Sequence, residues 1–167
     1  MRLINTAKLE KLLFDPEDLK AMAKNMALLI VEDDLDFRAT LFLLFGRYFG
    51  SITTANDGYS GLVKYRAAGA AGFSVVITDF SMPGMDGIEL INIITKERPD
   101  QKFLLITAHA DLAEIQQLFQ DNKEHLYVIS KQVIGEHPRD DDGWLWNRVF
   151  STVLEADALK FMSWGAG

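Results

Sequence analysis

The sequence predicts an α/β fold, one parallel sheet of five strands with helices on both faces. Three observations predict it. After residue 26, short apolar runs of strand length alternate with longer stretches whose apolar residues recur at helical spacing. Strands alternating with helices require crossover connections, and right-handed crossovers lay helices on both faces of a sheet. Polar residues gather just past the ends of the apolar runs, where such sheets carry their sites: Glu32 and Asp33, Asp79, Thr107, and Lys131.

Met26–Val31 (MALLIV) is continuously apolar and reads as a strand buried on both faces. Leu35 to Phe49 follows as a helix, with Leu41, Phe42, Leu44 and Phe45 on its apolar side. Ser51–Ala55 (SITTA) is the second strand, and the turn pair Asp57–Gly58 introduces a helix to about Ala68, bracketed by Gly69 and Gly72. Phe73–Thr78 (FSVVIT) is the third strand and delivers Asp79. A loop with Pro83, Gly84 and Gly87 leads to a helix from Ile88 to Arg98, stopped by Pro99. Lys102–Thr107 is the fourth strand, Asp111 is a good N-cap for a helix to about Gln120, and Leu126–Ser130 is the fifth strand. Lys131 to Asp142 reads as a long polar loop, and Trp144 to Phe161 as the last helix, with Trp144, Trp146 and Phe150 read as core, the other reading being part of a partner surface.

Residues 1–25 form a separate extension, read as two short helices ahead of the domain. Asp15-Pro16-Glu17-Asp18 combines an N-cap, a proline at the first helical position and acids in the first turn. A cap packed on the sheet layer is the expected role, with a dimerisation or partner helix as the other reading. Residues 26–162 then form the domain and 163–167 a short tail.

Composition excludes several classes. The chain has 167 residues, enough for one domain with an appendage, and no cysteine, so it has neither disulfides nor thiolate metal sites. A net charge of −7 opposes nucleic-acid binding by this segment. The start lacks the apolar stretch of a signal peptide, and no run approaches the ~18–20 apolar residues of a membrane span. A cytoplasmic location is expected.

Glu32, Asp33 and Asp79 are expected to converge at one sheet edge. Two carboxylates ~4 Å apart repel by roughly 4 kcal/mol at an effective dielectric of 20, so a proton or cation must intervene. Hard oxygen ligands with open positions suit Mg²⁺, with Mn²⁺ as a substitute. Lys131 adds a positive charge and Thr107 a hydroxyl, completing a site for a phosphoryl group. A carboxylate there can act as a nucleophile and yield an acyl phosphate.

Leu29-Ile30-Val31-Glu32-Asp33-Asp34 with Arg38, then Asp79-Phe80-Ser81-Met82-Pro83-Gly84-Met85-Asp86-Gly87, then Thr107-Ala108 and Lys131, resembles the receiver domain of two-component response regulators, of the chemotaxis-regulator type. The resemblance covers about residues 26 to 160 and implies a flavodoxin-like sheet of order 2-1-3-4-5. It implies that Asp79 accepts phosphate from a sensor histidine kinase, a phosphotransfer protein or a small phosphodonor. Glu32, Asp33, Asp79 and the Ser81 carbonyl would bind Mg²⁺, with Asp34 solvated. Lys131 and Thr107 would meet phosphoryl oxygens, helped by the backbone N–H groups of Ala108 and Phe80. Met82-Pro83-Gly84 would shape the loop, and Gly87 the tight start of the next helix. Phosphorylation would shift the face built from the fourth and fifth strands and their following helices, altering affinity for an effector, an output domain or a second copy. Such a module is a switch rather than a metabolic enzyme, catalysing only its own phosphorylation and dephosphorylation.

Two features depart from the family. Gln132 stands where proline usually follows the lysine, so a trans bond is expected, cis costing ~2.5–4 kcal/mol without proline. The switch aromatic normally lies three residues before the lysine, which here is Val128, with Tyr127 one residue earlier. Either Tyr127 faces the other side of the sheet or a bulge shifts the register. A phosphorylation-independent scaffold is therefore the rival reading. A dehalogenase-type phosphatase would need an acid where Ser81 stands. His109 is expected at the pocket rim, His125 and His137 in loops without metal-ligand spacing, and Arg38 on the helix surface.

Overall fold

The structure, a computed structural model, describes residues 2–3, 16–108, 113, 115, 117, 125–136, 139 and 143. Its elements are β1 (Arg2–Leu3), α1 (Pro16–Ala23), β2 (Ala27–Val31), α2 (Leu35–Phe45), β3 (Ser51–Ala55), α3 (Gly58–Ala67), β4 (Val75–Asp79), α4 (Gly87–Glu97), β5 (Lys102–Thr107), β6 (Leu126–Ser130) and α5 (Lys131–Glu136). Ala113, Ile115 and Gln117 are helical as well.

The sheet has six strands in the order β1-β6-β5-β4-β2-β3, and every neighbouring pair is parallel. Without β1 this is the expected five-stranded order, 2-1-3-4-5. Alternating side chains of the central strands point to opposite faces, which is why their sequences are apolar throughout. Leu28, Ile30, Val75, Ile77, Leu104, Ile106, Tyr127 and Ile129 join one core with Leu19 and Ala23 of α1, Leu41, Leu44 and Phe45 of α2, and Ile134 of α5. Leu29, Val31, Val76, Phe103, Leu105, Leu126 and Val128 join the other with Leu62 and Tyr65 of α3, Leu90, Ile91 and Ile94 of α4, and Ile115. Full burial of each such aliphatic side chain contributes about 1.5–3 kcal/mol before entropy is counted.

Of the two helices expected in the extension, the second is present, and residues 4–15, where the first is expected, lie outside the described residues. Pro16–Ala23 is helical and starts with Glu17 and Asp18 in its first turn, but Arg2–Leu3 is a strand paired with Tyr127 and Val128 of β6. Leu19 and Ala23 are fully buried, so this helix is part of the domain core, as a cap on the sheet layer would be. The helix after β2 ends at Phe45, where Gly46 N–H still reaches the Phe42 carbonyl, and the buried Phe49 lies beyond a turn.

The polar loop expected at residues 131–142 is corrected: it opens with α5. Ile134 is 1% exposed in the α2-side core and supplies the apolar anchor that holds this short helix. Its one glycine, Gly135, and its polar composition hid it from periodicity. The expected helix at 144–161, the Asp111 cap, His109, His137 and the aromatic residues Trp144, Trp146 and Phe150 lie outside the described residues. No helix among the described residues is long and apolar enough to cross a membrane.

Candidate functional site

The sheet register gathers the polar strand ends. Val31 is level with Thr78, Asp79 with Ile106, and Thr107 with Ser130. Glu32, one residue past β2, therefore lies beside Asp79 at the end of β4, and Lys131 is one residue beyond Ser130. Glu32 and Asp79 are buried, at 0% and 6% exposure, while Asp33 is exposed. Carboxylate oxygens of the three residues lie within 4.8 Å of one another.

Lys131 closes this cluster. Its Nζ donates to Asp79 Oδ2 at 2.8 Å and to Glu32 Oε1 at 3.2 Å, and lies 3.0 Å from Glu32 Oε2. The Phe37 ring centroid lies 4.8 Å from the same ammonium. Burial and then the Asp79 charge push the Glu32 carboxyl up to about 7, against the pull of Lys131 and the Asp34 N–H. Burial alone would lower the Lys131 ammonium, but hydrogen bonds and charge from Asp79 and Glu32 outweigh it and hold it above its ordinary value.

Local structure fixes each carboxylate. Asp34 is the N-cap of α2, its side chain accepting from Phe37 N–H at 2.7 Å, while its own N–H donates to Glu32 Oε1 at 3.2 Å. The loop thus turns directly into the helix, and Asp34 stays exposed. Arg38, expected on the helix surface, is instead half-buried, and its Nη1 donates to the Glu32 carbonyl at 2.5 Å and the Asp33 carbonyl at 3.3 Å. On the other side, Met82 and Met85 are buried and anchor the loop after Asp79. Gly84 takes φ +76°, a backbone region that favours glycine. A Cβ at Gly87 would lie 2.0 Å from the Asp79 carbonyl oxygen, so only glycine lets α4 start this close to the acid.

One sequence expectation changes, and one open pair of alternatives is decided. Phe80 N–H donates to the Ile106 carbonyl at 2.9 Å, extending the β4–β5 ladder, and so is already occupied rather than open to a phosphoryl oxygen. The two alternatives for Tyr127, the other face of the sheet or a bulge, are decided by an unbroken β5–β6 register, Leu104↔Tyr127 through Thr107↔Ser130, with no bulge. Tyr127 faces the α2-side core, and Val128 occupies the opposite face with Leu105. Alternation puts Thr107 on that second face also. Thr107 is buried at 2% exposure, Ala108 is exposed, and no peptide bond among the described residues is cis, so Lys131–Gln132 is trans.

Sequence reasoning missed Arg38 and Phe37. The helix start carried a signal for Arg38: four residues after the Asp34 cap, it lies on the capped side of the first turn, facing back over the loop. No local signal links Phe37 to Lys131, which meet only through the sheet.

The donor set fits a hard divalent cation. Three carboxylate oxygens converge within 4.8 Å of one another, while among the described residues the cluster meets one ammonium, Lys131, 3.0 Å from Glu32 Oε2 and 2.8 Å from Asp79 Oδ2. Three acids facing one lysine leave negative charge that a hard cation with oxygen ligands would neutralise.

Fold and site define an α/β module whose sheet carries an acidic cation pocket at its carboxyl edge. The family model described as response regulator receiver domain matches residues 28–136, and the chain belongs to that family. It is similar to the C4-dicarboxylate transport transcriptional regulatory protein DctD of Rhizobium meliloti, 33% identical over 103 residues, covering 60% of this chain and 21% of DctD. It is also similar to the response regulator receiver protein CpdR of Brucella abortus, 36% identical over 86 residues, covering 52% of this chain and 69% of CpdR. The chain thus spans only about a fifth of the first of these relatives. Among solved structures, the response regulator TrrA of Thermotoga maritima in complex with Mg²⁺–BeF matches with 27% identity and a TM-score of 0.56, covering 66% of this chain and 91% of TrrA. The chain is therefore a signalling module of two-component systems, with an acidic pocket consistent with Mg²⁺ and an aspartyl phosphate.

Proposed function

We propose that this module is a phosphorylation-dependent switch whose acceptor is Asp79. One observation carries the reading: the Lys131 ammonium bridges Asp79 and Glu32 inside a three-carboxylate cluster. A carboxylate oxygen of Asp79 attacks the phosphorus of a phosphohistidine on a sensor kinase or phosphotransfer protein. The phosphorus–nitrogen bond breaks, the imidazole leaves with its electron pair and takes up a proton, and an acyl phosphate forms. Water later cleaves that acyl phosphate and restores the carboxylate.

Glu32, Asp33 and Asp79, with the Ser81 carbonyl, would hold Mg²⁺, which when bound neutralises phosphoryl oxygens. Lys131 pairs with one phosphoryl oxygen. Thr107 donates its hydroxyl to another, and the Ala108 N–H assists. Satisfying these oxygens draws the segment after β5 and the start of α5 inward and biases the surface around β5 and β6 between two arrangements. Such couplings are ~1–3 kcal/mol and alter affinity for an effector, an output domain or a second copy. With Val128 on Thr107's face, an aliphatic side chain takes the switch aromatic's place. The net charge of −7 argues against direct nucleic-acid contact, and the work is cytoplasmic.

The test compares wild type with Asp79→Asn, using acetyl phosphate for the adduct and beryllofluoride for its mimic, both with Mg²⁺. A one-phosphoryl mass increase in wild type, absent from the variant, is expected. An adduct that persists in Asp79→Asn removes the acceptor role. A wild type that takes up neither reagent identifies a phosphorylation-independent scaffold instead.

A further inference from the structure

We infer that Phe37 is a positioning residue for the phosphoryl-binding lysine: its ring backs the Lys131 ammonium and keeps it aimed at the acceptor carboxylate. The inference rests on the function proposed above. It comes from three observations. The ammonium has carboxylates on one side, at 2.8 Å from Asp79 and 3.0 Å from Glu32, and the Phe37 ring on another, at 4.8 Å from the centroid. That distance is within the ~6 Å at which a ring face attracts a cation, and partial burial strengthens the attraction.

The ring is held firmly. Phe37 lies in the first turn of α2, its N–H bound by the Asp34 cap at 2.7 Å, on the same short segment that carries Glu32 and Asp33. It packs partly buried against the α2-side core, where Val133 of α5 also packs. Ring and carboxylates therefore reach the ammonium as one unit.

The lysine itself has weaker support. It opens α5, Gln132 follows it, and its side chain is still 25% exposed. A flexible four-carbon stem can swing away from such a start. The ring limits that swing. When a phosphoryl group arrives, the ammonium can exchange Glu32 for a phosphoryl oxygen without leaving the ring, so little order has to be gained at that moment.

The experiment titrates the full chain with beryllofluoride at saturating Mg²⁺, in wild type, Phe37→Leu and Phe37→Tyr. A cation–ring contact of this kind is expected to be worth about three- to thirtyfold in affinity, lost in Phe37→Leu and restored in Phe37→Tyr. Affinity for Mg²⁺ alone should change little across the series. In parallel, NMR of the Lys131 ε-methylene should show a ring-current shift in wild type and Phe37→Tyr that vanishes in Phe37→Leu. Equal beryllofluoride affinity in wild type and Phe37→Leu, or no rescue by tyrosine, overturns the inference while leaving Asp79 as acceptor. If wild type binds no beryllofluoride, the switch reading fails, and the methylene shift alone then decides whether the ring holds the ammonium. Should Phe37→Leu not fold, an unshifted methylene in wild type overturns the inference.

Discussion

The Arg38 guanidinium donates to the main-chain carbonyl of Glu32 at 2.5 Å and to that of Asp33 at 3.3 Å. One cation thus grips the backbone of two neighbouring acids from behind, leaving their carboxylates to face Asp79.

Removing that grip should loosen the acidic pair. Arg38→Met keeps most of the apolar stem and deletes the donors. We expect a stability loss of about 1.5–3 kcal/mol, as for hydrogen bonds from a charged group. A severalfold weaker Mg²⁺ affinity should accompany it. Urea unfolding and calorimetric Mg²⁺ titration check this, and an unchanged Mg²⁺ affinity would assign Arg38 to folding alone.

Glu32 should make the metal-free protein less stable as pH rises. Its carboxyl is raised from an ordinary 4.5 to about 7 in the fold. Below pH 4.5 both folded and unfolded chains hold the proton, and this group contributes nothing. Between 4.5 and 7 the unfolded chain ionises first, so stability falls. Above 7 the cost is constant, at about 3 kcal/mol for a shift of this size. In EDTA, Glu32→Gln should therefore raise the unfolding midpoint at pH 8 and have little effect at pH 4. With the metal, the same variant should bind Mg²⁺ at least about tenfold more weakly, since a charged ligand is lost. Parallel pH–stability curves for the two proteins would refute this.

Gly87→Ala should be costly although alanine favours helices. The added Cβ would lie 2.0 Å from the Asp79 carbonyl oxygen and 3.0 Å from its carbon, both main-chain atoms that cannot swing aside. α4 must then retreat from the acceptor. We expect about 3 kcal/mol of destabilisation, typical of severe overpacking, and slower phosphorylation of Asp79. Thermal melts and acetyl-phosphate kinetics measure the two effects.

The five central strands and the acidic cluster were legible because their signals are local. MALLIV and KFLLIT read as strands covered on both faces, and carboxylates at the carboxyl ends of neighbouring parallel strands are brought together by the sheet. Other features were not local. Arg2–Leu3 is too short for any periodicity, and it is a strand only because β6 offers it an edge. α5 depends on Ile134 reaching the α2-side core, which a six-residue sequence containing glycine does not announce. Tyr127 was readable only as two alternatives, because a one-residue register slip reverses a side chain and only the pairing with β5 decides it. The Phe80 N–H was misjudged because the ladder continues one residue past the end of β4.

The pairing of Arg2–Leu3 with β6 also bears on aggregation. Parallel sheets end in two rows of main-chain donors and acceptors able to recruit foreign strands. Here one border is overlaid along Tyr127 and Val128 by the chain's own first residues. At the other, Ala55 turns its carbonyl inward to Glu32 N–H, Thr54 turns its own outward, and Lys64 Nζ binds that outward carbonyl at 2.6 Å. Both flanks therefore carry a deterrent to amyloid-like growth, one a strand and the other a charge.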